Sequence, residues 1–374
     1  MRDKLVCDIL VVGAGPAGAR AARSAAEAGC NTLLIDAKPR IGEQPHCGEF
    51  VPTRLFTEFD LNRDCIQQKV DFMETRILGL SASPAYLNPD KAVLRCTRIP
   101  SPGYIIDRVR FDRDLAREAA SKGATVMCAT RLLRREGRSW IVRCEGKEVL
   151  VKSALTIAAD GPASSVAATL GMKRPDLLQG LQAEVPLTTS LDGTFIFLDK
   201  DFVGGYGWLF PKGTTANVGI GIVPGLGASG SQALQKFLER LRENGFVKPG
   251  RLALAAGVIP VSGLRENLVA GGVIFCGDAA GLTHPITGAG IPQAVLSGYL
   301  AGRAAAEALR TDSSQSLVGY ENEIRAIYNG IINHALSKRA LMMQHWNELD
   351  FESICEETWI GFKGYKKRIR SAKE

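Results

Sequence analysis

Three absences from this chain exclude whole classes of protein. No apolar run reaches the ~20 residues that a membrane-spanning helix needs. None of the nine cysteines stands in a CxxC spacing, which argues against a zinc site, an iron–sulfur cluster and a secreted disulfide framework. His284 has no second histidine in a metal-ligand spacing, so we expect it to be packed or hydrogen-bonded and expect no metal. Any electrons that the chain handles must come from outside or from a bound nucleotide.

The two ends of the chain lead to expectations about location. Asp8 interrupts the first apolar run and a glycine-rich turn follows at once, so this segment does not fit a signal peptide and a cytoplasmic location is expected. The formal net charge is +7, and residues 361–374 carry six basic side chains against one acidic. This tail is either a solvated surface segment or a contact with anionic lipid headgroups at the inner face of the membrane. No nucleic-acid partner is expected.

A glycine-rich turn near the start organises the rest of the sequence. Residues 5–12 form an apolar run that predicts a buried parallel strand, and the alanine-rich residues 16–29 predict a helix. Gly13, Gly15 and Gly18 have the spacing that serves a tight turn, a close backbone approach to a pyrophosphate and close contact of helix with strand. The phosphates are expected at the helix N-terminus, where N–H groups and the helix dipole favour negative charge.

An acidic residue stands where this motif needs one. A second apolar strand is predicted at residues 32–35, and Asp36 follows it directly. A carboxylate at this place accepts the ribose hydroxyls of an adenosine. A purely structural turn is the alternative for the glycines alone, but strand, glycines, helix, strand and acid in this order favour a bound dinucleotide.

The remaining pattern predicts an α/β chain whose nucleotide-binding lobe is built from separate pieces. Residues 38–52 form a long loop, and long loops in compact domains are usually functional. Two separate strands are predicted at 148–151 and 155–159. The predicted domains are a nucleotide-binding domain of residues 1–68, 100–178 and 263–310, an antiparallel β-sheet substrate domain of residues 69–99 and 179–262, and a C-terminal helical region of residues 311–374 with its basic tail.

Three motifs stand in the order found in flavoprotein monooxygenases and their reductase relatives. The first is the turn Gly13-Ala14-Gly15-Pro16-Ala17-Gly18, and the second is Asp160-Gly161. The third is Gly277-Asp278, followed by Pro285-Ile286-Thr287-Gly288-Ala289-Gly290. The resemblance implies a Rossmann-type FAD-binding domain built from discontinuous segments, with FAD as the cofactor.

Two further motifs resemble the geranylgeranyl reductase family within that group. Tyr206-Gly207-Trp208-Leu209-Phe210-Pro211, followed after seven residues by Gly219-Ile220-Gly221, resembles the family's YxWxFP…GxG signature. His46-Cys47-Gly48-Glu49 resembles its flavin-side CGE loop. The resemblance extends from about residue 6 to residue 310, and the residues after 310 match no motif of the family.

Physical arguments and the resemblance together assign residues to the cofactor. Asp278 follows a predicted strand and can bond the ribityl chain or a ribose, and N–H groups at 288–291 would face the flavin C2 carbonyl and N1, where negative charge collects on reduction. Asp160 is expected to cap a helix. The resemblance adds a contact from the charged fork of Arg108 and packing of Leu132 beside adenine. The predicted set is Gly13, Gly15, Ala17, Gly18, Asp36, Cys47, Gly48, Phe50, Arg108, Leu132, Asp278, Gly288, Gly290 and Ile291.

Cys47 and Glu49 are the predicted catalytic residues. A lone cysteine is most often a small buried hydrophobe, but the resemblance places Cys47 beside the flavin, as a proton donor or as a gatekeeper of the substrate tunnel. Glu49 shares the loop and serves as the acid if burial raises its pKa.

Three aromatic residues are the predicted substrate contacts. Tyr206, Trp208 and Phe210 alternate along a predicted strand, so their side chains point to one face. Two interpretations stay open and are compatible: the rings belong to the sheet core, or they line an apolar cavity over the flavin that suits an isoprenoid chain.

The predicted function is reduction of isolated carbon–carbon double bonds in an isoprenoid lipid, a quinone tail or a prenyl diphosphate. Reduced flavin N5 would deliver a hydride to one alkene carbon, and a proton from Cys47, Glu49 or ordered water would reach the other. No second dinucleotide fingerprint is present. NAD(P)H bound transiently, a ferredoxin as partner protein and a deazaflavin all stay open as electron donors.

Two alternative functions use the same scaffold. An aromatic-ring monooxygenase or a halogenase would use O2, but the tryptophan-x-tryptophan-x-isoleucine-proline pattern of halogenases is absent and the Tyr206 motif stands instead. A non-catalytic flavin electron carrier would keep the nucleotide turns and need no apolar tunnel.

Overall fold

The computed structural model describes residues 3–43, 47–79, 93–227, 229–348 and 350–367. Predictions that fall on His46, or on the basic tail from residue 368 onward, lie outside these ranges. The chain divides into two compact units. Unit 1 holds residues 1–43, 109–176 and 260–333, and unit 2 holds residues 44–108, 177–259 and 334–374.

Helices and strands are numbered in chain order. The α-helices are α1 Pro16–Glu27, α2 Arg54–Phe59, α3 Arg108–Ser121, α4 Ser165–Thr169, α5 Gly230–Glu243, α6 Ile291–Thr311, α7 Gln315–Gln344 and α8 Phe351–Thr358. The strands are β1 Asp3–Val12, β2 Thr32–Ile35, β3 Phe50–Pro52, β4 Ile66–Leu78, β5 Val93–Ile106, β6 Thr125–Met127, β7 Thr130–Glu136, β8 Ser139–Cys144, β9 Lys147–Ala158, β10 Leu177–Pro186, β11 Gly193–Leu198, β12 Tyr206–Lys212, β13 Thr215–Ile222, β14 Ala253–Pro260, β15 Val269–Ala270 and β16 Val273–Phe275. No helix among the described residues is both long enough and apolar enough to cross a membrane.

Unit 1 is built on a sheet of eight strands. Five of them run parallel in the order β16-β9-β1-β2-β6. β15 pairs antiparallel with β16, and the β7–β8 hairpin joins the sheet through an antiparallel pairing of β8 with β9. The end of β1, residues 9–12, is buried throughout, as expected for a parallel strand with covered faces. The predicted α/β fold with a nucleotide-binding unit made of discontinuous segments is confirmed.

The two strands predicted at 148–151 and 155–159 are one strand, β9. β1 pairs with it along its length, from the Asp3–Val149 pair to the Val12–Ala158 pair. On the edge of β9 that faces away from β1, two strands pair with it in succession. β8 pairs with its first half and β16 with its last three residues.

Helix α1 packs closely against α6 because both present small residues at the crossing. A Cβ atom on Gly298 would overlap the carbonyl oxygen of Ala17, and one on Gly302 would overlap the carbonyl oxygen of Ala21. The two glycines are one helical turn apart and so face the same side of α6. Backbone-to-backbone packing of this kind leaves no room for larger side chains.

Unit 2 contains the second sheet of eight strands, in the order β14-β10-β13-β12-β11-β4-β5-β3. One face is covered by α5, and its core includes Phe195, Phe197, Leu209 and Phe237. The predicted antiparallel sheet is wrong in one respect, since β11 pairs parallel to β4. Strand β4 comes from an earlier part of the chain and enters this sheet through its hairpin-like pairing with β5.

The unit boundaries differ from the predicted domain boundaries around β3, around the end of β5 and after residue 310. Strands β3 and β5 lie in unit 2 because β3 pairs with β5 and β5 with β4, whereas the sequence predicts β3 and the end of β5 in the nucleotide-binding domain. The region after residue 310 is no separate unit, because α7 contributes to unit 1 as far as residue 333 and the later residues belong to unit 2.

The helix crossing leads to a stability prediction. Gly298→Ala should lower the free energy of unfolding by about 1–3 kcal/mol, because the new methyl overlaps a backbone carbonyl of α1. Gly330→Ala in α7 is the matched control: its Cβ would meet nothing, so it should raise stability by up to ~1 kcal/mol. Urea denaturation of both variants measures the difference, and equal stability of Gly298→Ala and the parent chain would contradict the close crossing.

Candidate functional site

The first glycine turn of unit 1 separates the roles of its three glycines. Gly13 has φ +97°, and a Cβ there would overlap the carbonyl oxygen of Ala159. A Cβ on Gly18 would overlap the carbonyl oxygen of Gly13. A Cβ on Gly15 would meet no protein atom within 4 Å. Protein packing therefore explains Gly13 and Gly18, whereas the space beside Gly15 is open to a ligand that approaches the backbone.

The start of α1 has the properties of an anion site. Its N-cap residue is Gly15, no side chain caps the helix, and no acidic residue lies in the first turn. Asp36 is held beside the turn, where its carboxylate accepts hydrogen bonds from the backbone N–H of Ala14 at 2.7 Å and of Lys38 at 2.8 Å. The N–H groups of a helix start and an oriented carboxylate match a phosphate and a ribose.

A second turn of unit 1 carries Asp278. The hydroxyl of Thr283 donates to its carboxylate at 2.6 Å, and the N–H of Gly277 donates to the hydroxyl of Ser297 at 2.9 Å. A Cβ on Gly290 would stand 3.1 Å from the same carboxylate, so a side chain there would crowd it. Helix α6 starts directly afterwards, with Gly290 as a N-cap that provides no side-chain bond, and Gly288 has φ +69°.

Ala17 connects the two turns. It is buried, at 6% exposure, and a Cβ on Gly277 would stand 2.8 Å from its methyl group. The sequence predicts Ala17 as a cofactor contact. Its observed neighbours show that it is also the packing point that joins the first turn to the Asp278 turn.

Asp160 lies beside the first turn, and one of its two carboxylate oxygens is hydrogen-bonded. This oxygen accepts hydrogen bonds from the hydroxyl of Ser165 at 2.8 Å and from the N–H of Val166 at 3.0 Å, so Asp160 caps α4 as expected. Its other oxygen is buried and has no hydrogen-bond partner among the described residues.

Two other predicted residues of unit 1 have plain surroundings. Leu132 is buried on β7. The ring of His284 accepts hydrogen bonds from two backbone N–H groups.

These features of unit 1 fit FAD. The glycine turn leaves backbone exposed where a pyrophosphate would lie, and two helix starts lack side-chain caps. A buried oxygen of Asp160 beside the turn has no hydrogen-bond partner in the described part of the chain. The residues that would hold the group are those of the two turns, with Asp36 and Asp278 as acceptors for hydroxyl groups.

Unit 2 holds the other predicted residues, and Glu49 is the most constrained of them. It is buried at 3% exposure and has φ +70°, which is uncommon for a residue with a side chain. Its carboxylate accepts hydrogen bonds from Lys212 Nζ at 2.6 Å, from Asn217 Nδ2 at 2.7 Å and from the backbone N–H of Arg108 at 3.1 Å. Three donors, one of them a cation, thus converge on one buried carboxylate.

Cys47 lies in the same loop. The N–H of Glu49 donates to its Sγ at 3.2 Å. Burial raises the pKa of the Cys47 thiol, while the guanidinium of Arg108 and the N–H of Glu49 oppose this rise. Burial likewise raises the pKa of the Tyr206 hydroxyl, and the nearby Cys47 adds to the rise. Both groups are therefore protonated at neutral pH.

The hairpin β12–β13 explains the long aromatic motif. Phe210 stands opposite Asn217, Trp208 opposite Gly219, and Tyr206 opposite Gly221. Residues that are directly opposite share a face of the sheet. A Cβ on Gly219 would overlap the ring of Trp208, so the first glycine of GxG provides the space in which the indole lies.

The aromatic residues lie on the face of β12 opposite to the α5 core. Leu209, which alternates with them, belongs to that core, and they do not. Tyr206 and Trp208 have ring centroids 5.8 Å apart, and Trp359 lies 4.8 Å from Tyr206. A Cβ on Gly48 would stand 2.6 Å from the ring of Phe210. We call the rings of Tyr206, Trp208, Phe210 and Trp359, together with Phe50 at 6.4 Å from Phe210, the aromatic face.

Sequence reasoning missed Lys212, Asn217 and Trp359. A signal for the first two was present: Lys212 continues the alternation of positions 206, 208 and 210, and Asn217 precedes the GxG glycines by the same step of two. Trp359 lies far beyond the motifs. It is placed by packing, with its indole N–H donating to Thr75 at 3.0 Å.

Comparisons with known proteins agree with this geometry. Residues 6–185 match the FAD binding domain family, and residues 186–257 match the geranylgeranyl reductase catalytic domain family. The digeranylgeranylglycerophospholipid reductase of Methanocaldococcus jannaschii is 33% identical, with 98% of this chain and 96% of that protein covered.

Solved structures extend the comparison to the fold. A geranylgeranyl bacteriochlorophyll reductase-like protein of Thermoplasma acidophilum superposes with a TM-score of 0.81 at 28% identity, covering 96% of this chain and 92% of its own. The myxobacterial chondrochloren halogenase superposes with a TM-score of 0.68 at 18% identity, covering 88% of this chain and 81% of its own. The second likeness shows a shared fold and no more.

The contrast between Gly15 and Gly18 leads to a prediction about flavin binding. Gly15→Ala should fold with a loss below about 1 kcal/mol, because its methyl meets only open space, but it should weaken FAD binding by about tenfold or more, because the methyl stands where the pyrophosphate approaches. Gly18→Ala should lower the stability of the apoprotein by about 1–3 kcal/mol. Flavin absorbance and apoprotein melting measure the two effects, and full flavin content in Gly15→Ala would argue against this site.

Proposed function

This chain belongs to the geranylgeranyl reductase family, and from that premise we propose that it saturates double bonds in the geranylgeranyl chains of a glycerophospholipid. The resemblance predicted from the motifs is confirmed by the match to both family domains. The chain is an FAD-dependent oxidoreductase, and the predicted class of function, reduction of an isoprenoid chain, is confirmed. The glycerophospholipid as substrate is the step that we add, and it follows what the archaeal relative is named for.

The observation that supports this proposal most directly is the aromatic face of unit 2. Tyr206, Trp208 and Phe210 are turned away from the sheet core and are continued by Trp359. A long prenyl chain has no polar group to bind, so its recognition depends on burial against apolar surface, worth roughly 25 cal/mol per Å². A row of rings along one strand offers such a surface.

The proposed chemistry divides one reduction into a hydride and a proton. When bound and reduced, FAD supplies the hydride to one carbon of the double bond. Cys47 gives its proton to the other carbon, and the thiolate then regains a proton from water. An isolated alkene is a poor acceptor, so the protein must hold the chain in place while the proton is delivered.

Cys47 is the better proton donor of the two predicted residues. Its thiol stays protonated because burial raises its pKa. The Glu49 carboxylate already accepts hydrogen bonds from Lys212, Asn217 and the N–H of Arg108, so it is engaged in holding the loop to the sheet. Within this proposal Glu49 holds the loop and Cys47 supplies the proton.

We propose that the cofactor is held by the predicted residues of unit 1. They form the two turns, the start of α6 and the end of β2, with Leu132 near the adenine. These residues are Gly13, Gly15, Ala17, Gly18, Asp36, Leu132, Asp278, Gly288, Gly290 and Ile291. The flavin contacts predicted for Cys47, Gly48, Phe50 and Arg108 stay predictions.

The proposal includes an external electron donor and a membrane surface. Three electron donors stay open: NAD(P)H, a ferredoxin and a deazaflavin. Each is to be tested separately for its ability to reduce the oxidised enzyme. A phospholipid substrate resides in a membrane, so we place the protein in the cytoplasm at the inner face of the membrane, attracted there by its basic tail.

Replacement of Cys47 tests the proton donor. Cys47→Ser should lower the rate of double-bond reduction by about a hundredfold, since a hydroxyl is a far weaker acid than a thiol. Cys96→Ser is the matched control, because Cys96 is an exposed cysteine of the same unit. The assay is anaerobic, with dithionite-reduced enzyme and a digeranylgeranyl lipid, and mass spectrometry detects two added hydrogens per saturated bond.

Three results of this assay have distinct meanings. An unchanged rate in Cys47→Ser removes the thiol from the chemistry and leaves the function intact. Consumption of O2 with an aromatic substrate in place of lipid reduction would favour the monooxygenase alternative. Reduced flavin without any product would favour the electron carrier.

Vesicle binding tests the membrane contact. Replacing the six basic residues of 361–374 by glutamine should weaken binding to vesicles with anionic lipid, by up to about 1 kcal/mol per residue. The binding of the parent chain should fall as salt is added, because salt screens exposed charges. Co-sedimentation measures both effects, and equal binding to neutral and anionic vesicles would contradict an electrostatic contact.

A further inference from the structure

Glu49 is bonded through every polar group that it has. Its N–H donates to Cys47 Sγ, and its carbonyl oxygen accepts from the N–H of Ile106 at 3.0 Å. Its carboxylate accepts from Lys212, Asn217 and the N–H of Arg108. The residue adopts φ +70°, a conformation that persists in a residue with a side chain only when its surroundings hold it there.

The side-chain partners come from the hairpin that carries the aromatic face. Lys212 is the last residue of β12, and Asn217 stands opposite Phe210 on β13. Asn217 is 2% exposed and the Lys212 side chain is 17% exposed. The ion pair is thus largely shielded from water, and removal of one partner would leave a buried charge without compensation.

We propose that Lys212 and Asn217 are positioning residues that fix the thiol of Cys47. They hold the Glu49 carboxylate against the sheet, and this keeps the backbone of Glu49 in the conformation that directs its N–H at Cys47 Sγ. The thiol is thereby oriented by the same hairpin that presents Tyr206, Trp208 and Phe210. The effect of this positioning on turnover rests on the proposed function, whereas its effect on the thiol does not.

The contacts predict that replacing Lys212 affects kcat and KM differently. Loss of the Lys212 contact leaves Tyr206, Trp208 and Phe210 in place, since the pairing of β12 with β13 holds their strand and Gly219 leaves the space for Trp208. The loop that carries Cys47 instead loses the charged contact of Glu49, while Asn217 and the N–H of Arg108 still donate to it. A variant at Lys212 should therefore lower kcat and leave the KM for the prenyl lipid close to that of the parent enzyme.

The first test measures the thiol and needs no turnover. Holoenzyme is treated with iodoacetamide, and peptide mass spectrometry follows the alkylation of Cys47 relative to Cys355, a buried thiol of the same unit. In Lys212→Met the alkylation of Cys47 should be about tenfold faster or more, because the loop opens once its buried pair is broken. Lys212→Arg, which keeps the charge and a donor, should restore a rate near that of the parent.

Two further variants complete the design. Lys69→Met is the matched control, because Lys69 makes an exposed ion pair with Asp71 at 2.8 Å on β4; it should leave both the alkylation of Cys47 and kcat unchanged. Asn217→Leu removes a neutral donor and keeps the ion pair, so it should speed the alkylation less than Lys212→Met does. It also provides the test if Lys212→Met fails to fold.

Each outcome decides the proposal. Faster alkylation of Cys47 alone, with a lower kcat and an unchanged KM, supports it. Wild-type alkylation and kcat in Lys212→Met overturn it, and so does equal acceleration of Cys47 and Cys355, which would show that the pair stabilises the whole unit. If no variant or parent enzyme reduces a prenyl lipid while Cys47 alone becomes reactive, the proposed function fails and the positioning of the thiol stands.

Discussion

The constraint on which unit 1 depends is the approach of backbone to backbone at the start of α1. Gly18 touches the carbonyl of Gly13, and Gly298 of α6 touches the carbonyl of Ala17. No side chain fits at these contacts, and no flexible side chain is present there that could move aside to make room. The first turn and the Asp278 turn are consequently held at one relative position, because Gly277 also packs on Ala17. The proposed binding of one cofactor by both turns requires that they keep this relative position.

Unit 2 uses glycine in a different way. Gly219 leaves space for the ring of Trp208, and Gly48 leaves space for the ring of Phe210. These glycines do not relieve a strained backbone, since neither has a positive φ. They allow large rings to approach neighbouring chain segments closely, and the rings form an apolar face on the side of the sheet that α5 does not cover.

A buried ion pair at the edge of an apolar face needs a reason, because pairing seldom recovers the full desolvation penalty of two charges. The free energy of folding alone therefore does not explain the ion pair of Glu49 with Lys212. Its geometry gives the better reason, since three donors converge on one carboxylate and fix a residue in an uncommon conformation. Polar pairs are best attested in this role, as devices that select one arrangement of the chain.

The sequence by itself determined the features that depend on near neighbours. The glycine turn, the strand and acid around it and the alternation of aromatic residues could all be predicted, because local spacing and period decide them. So could the class of cofactor and the family. The tertiary structure decided which distant groups meet: Lys212 and Asn217 reach Glu49 across separations of 163 and 168 residues, and Trp359 reaches Tyr206 from the far end of the chain. No local pattern encodes such a meeting, since it depends on strand order and on the face that each strand turns to its neighbours.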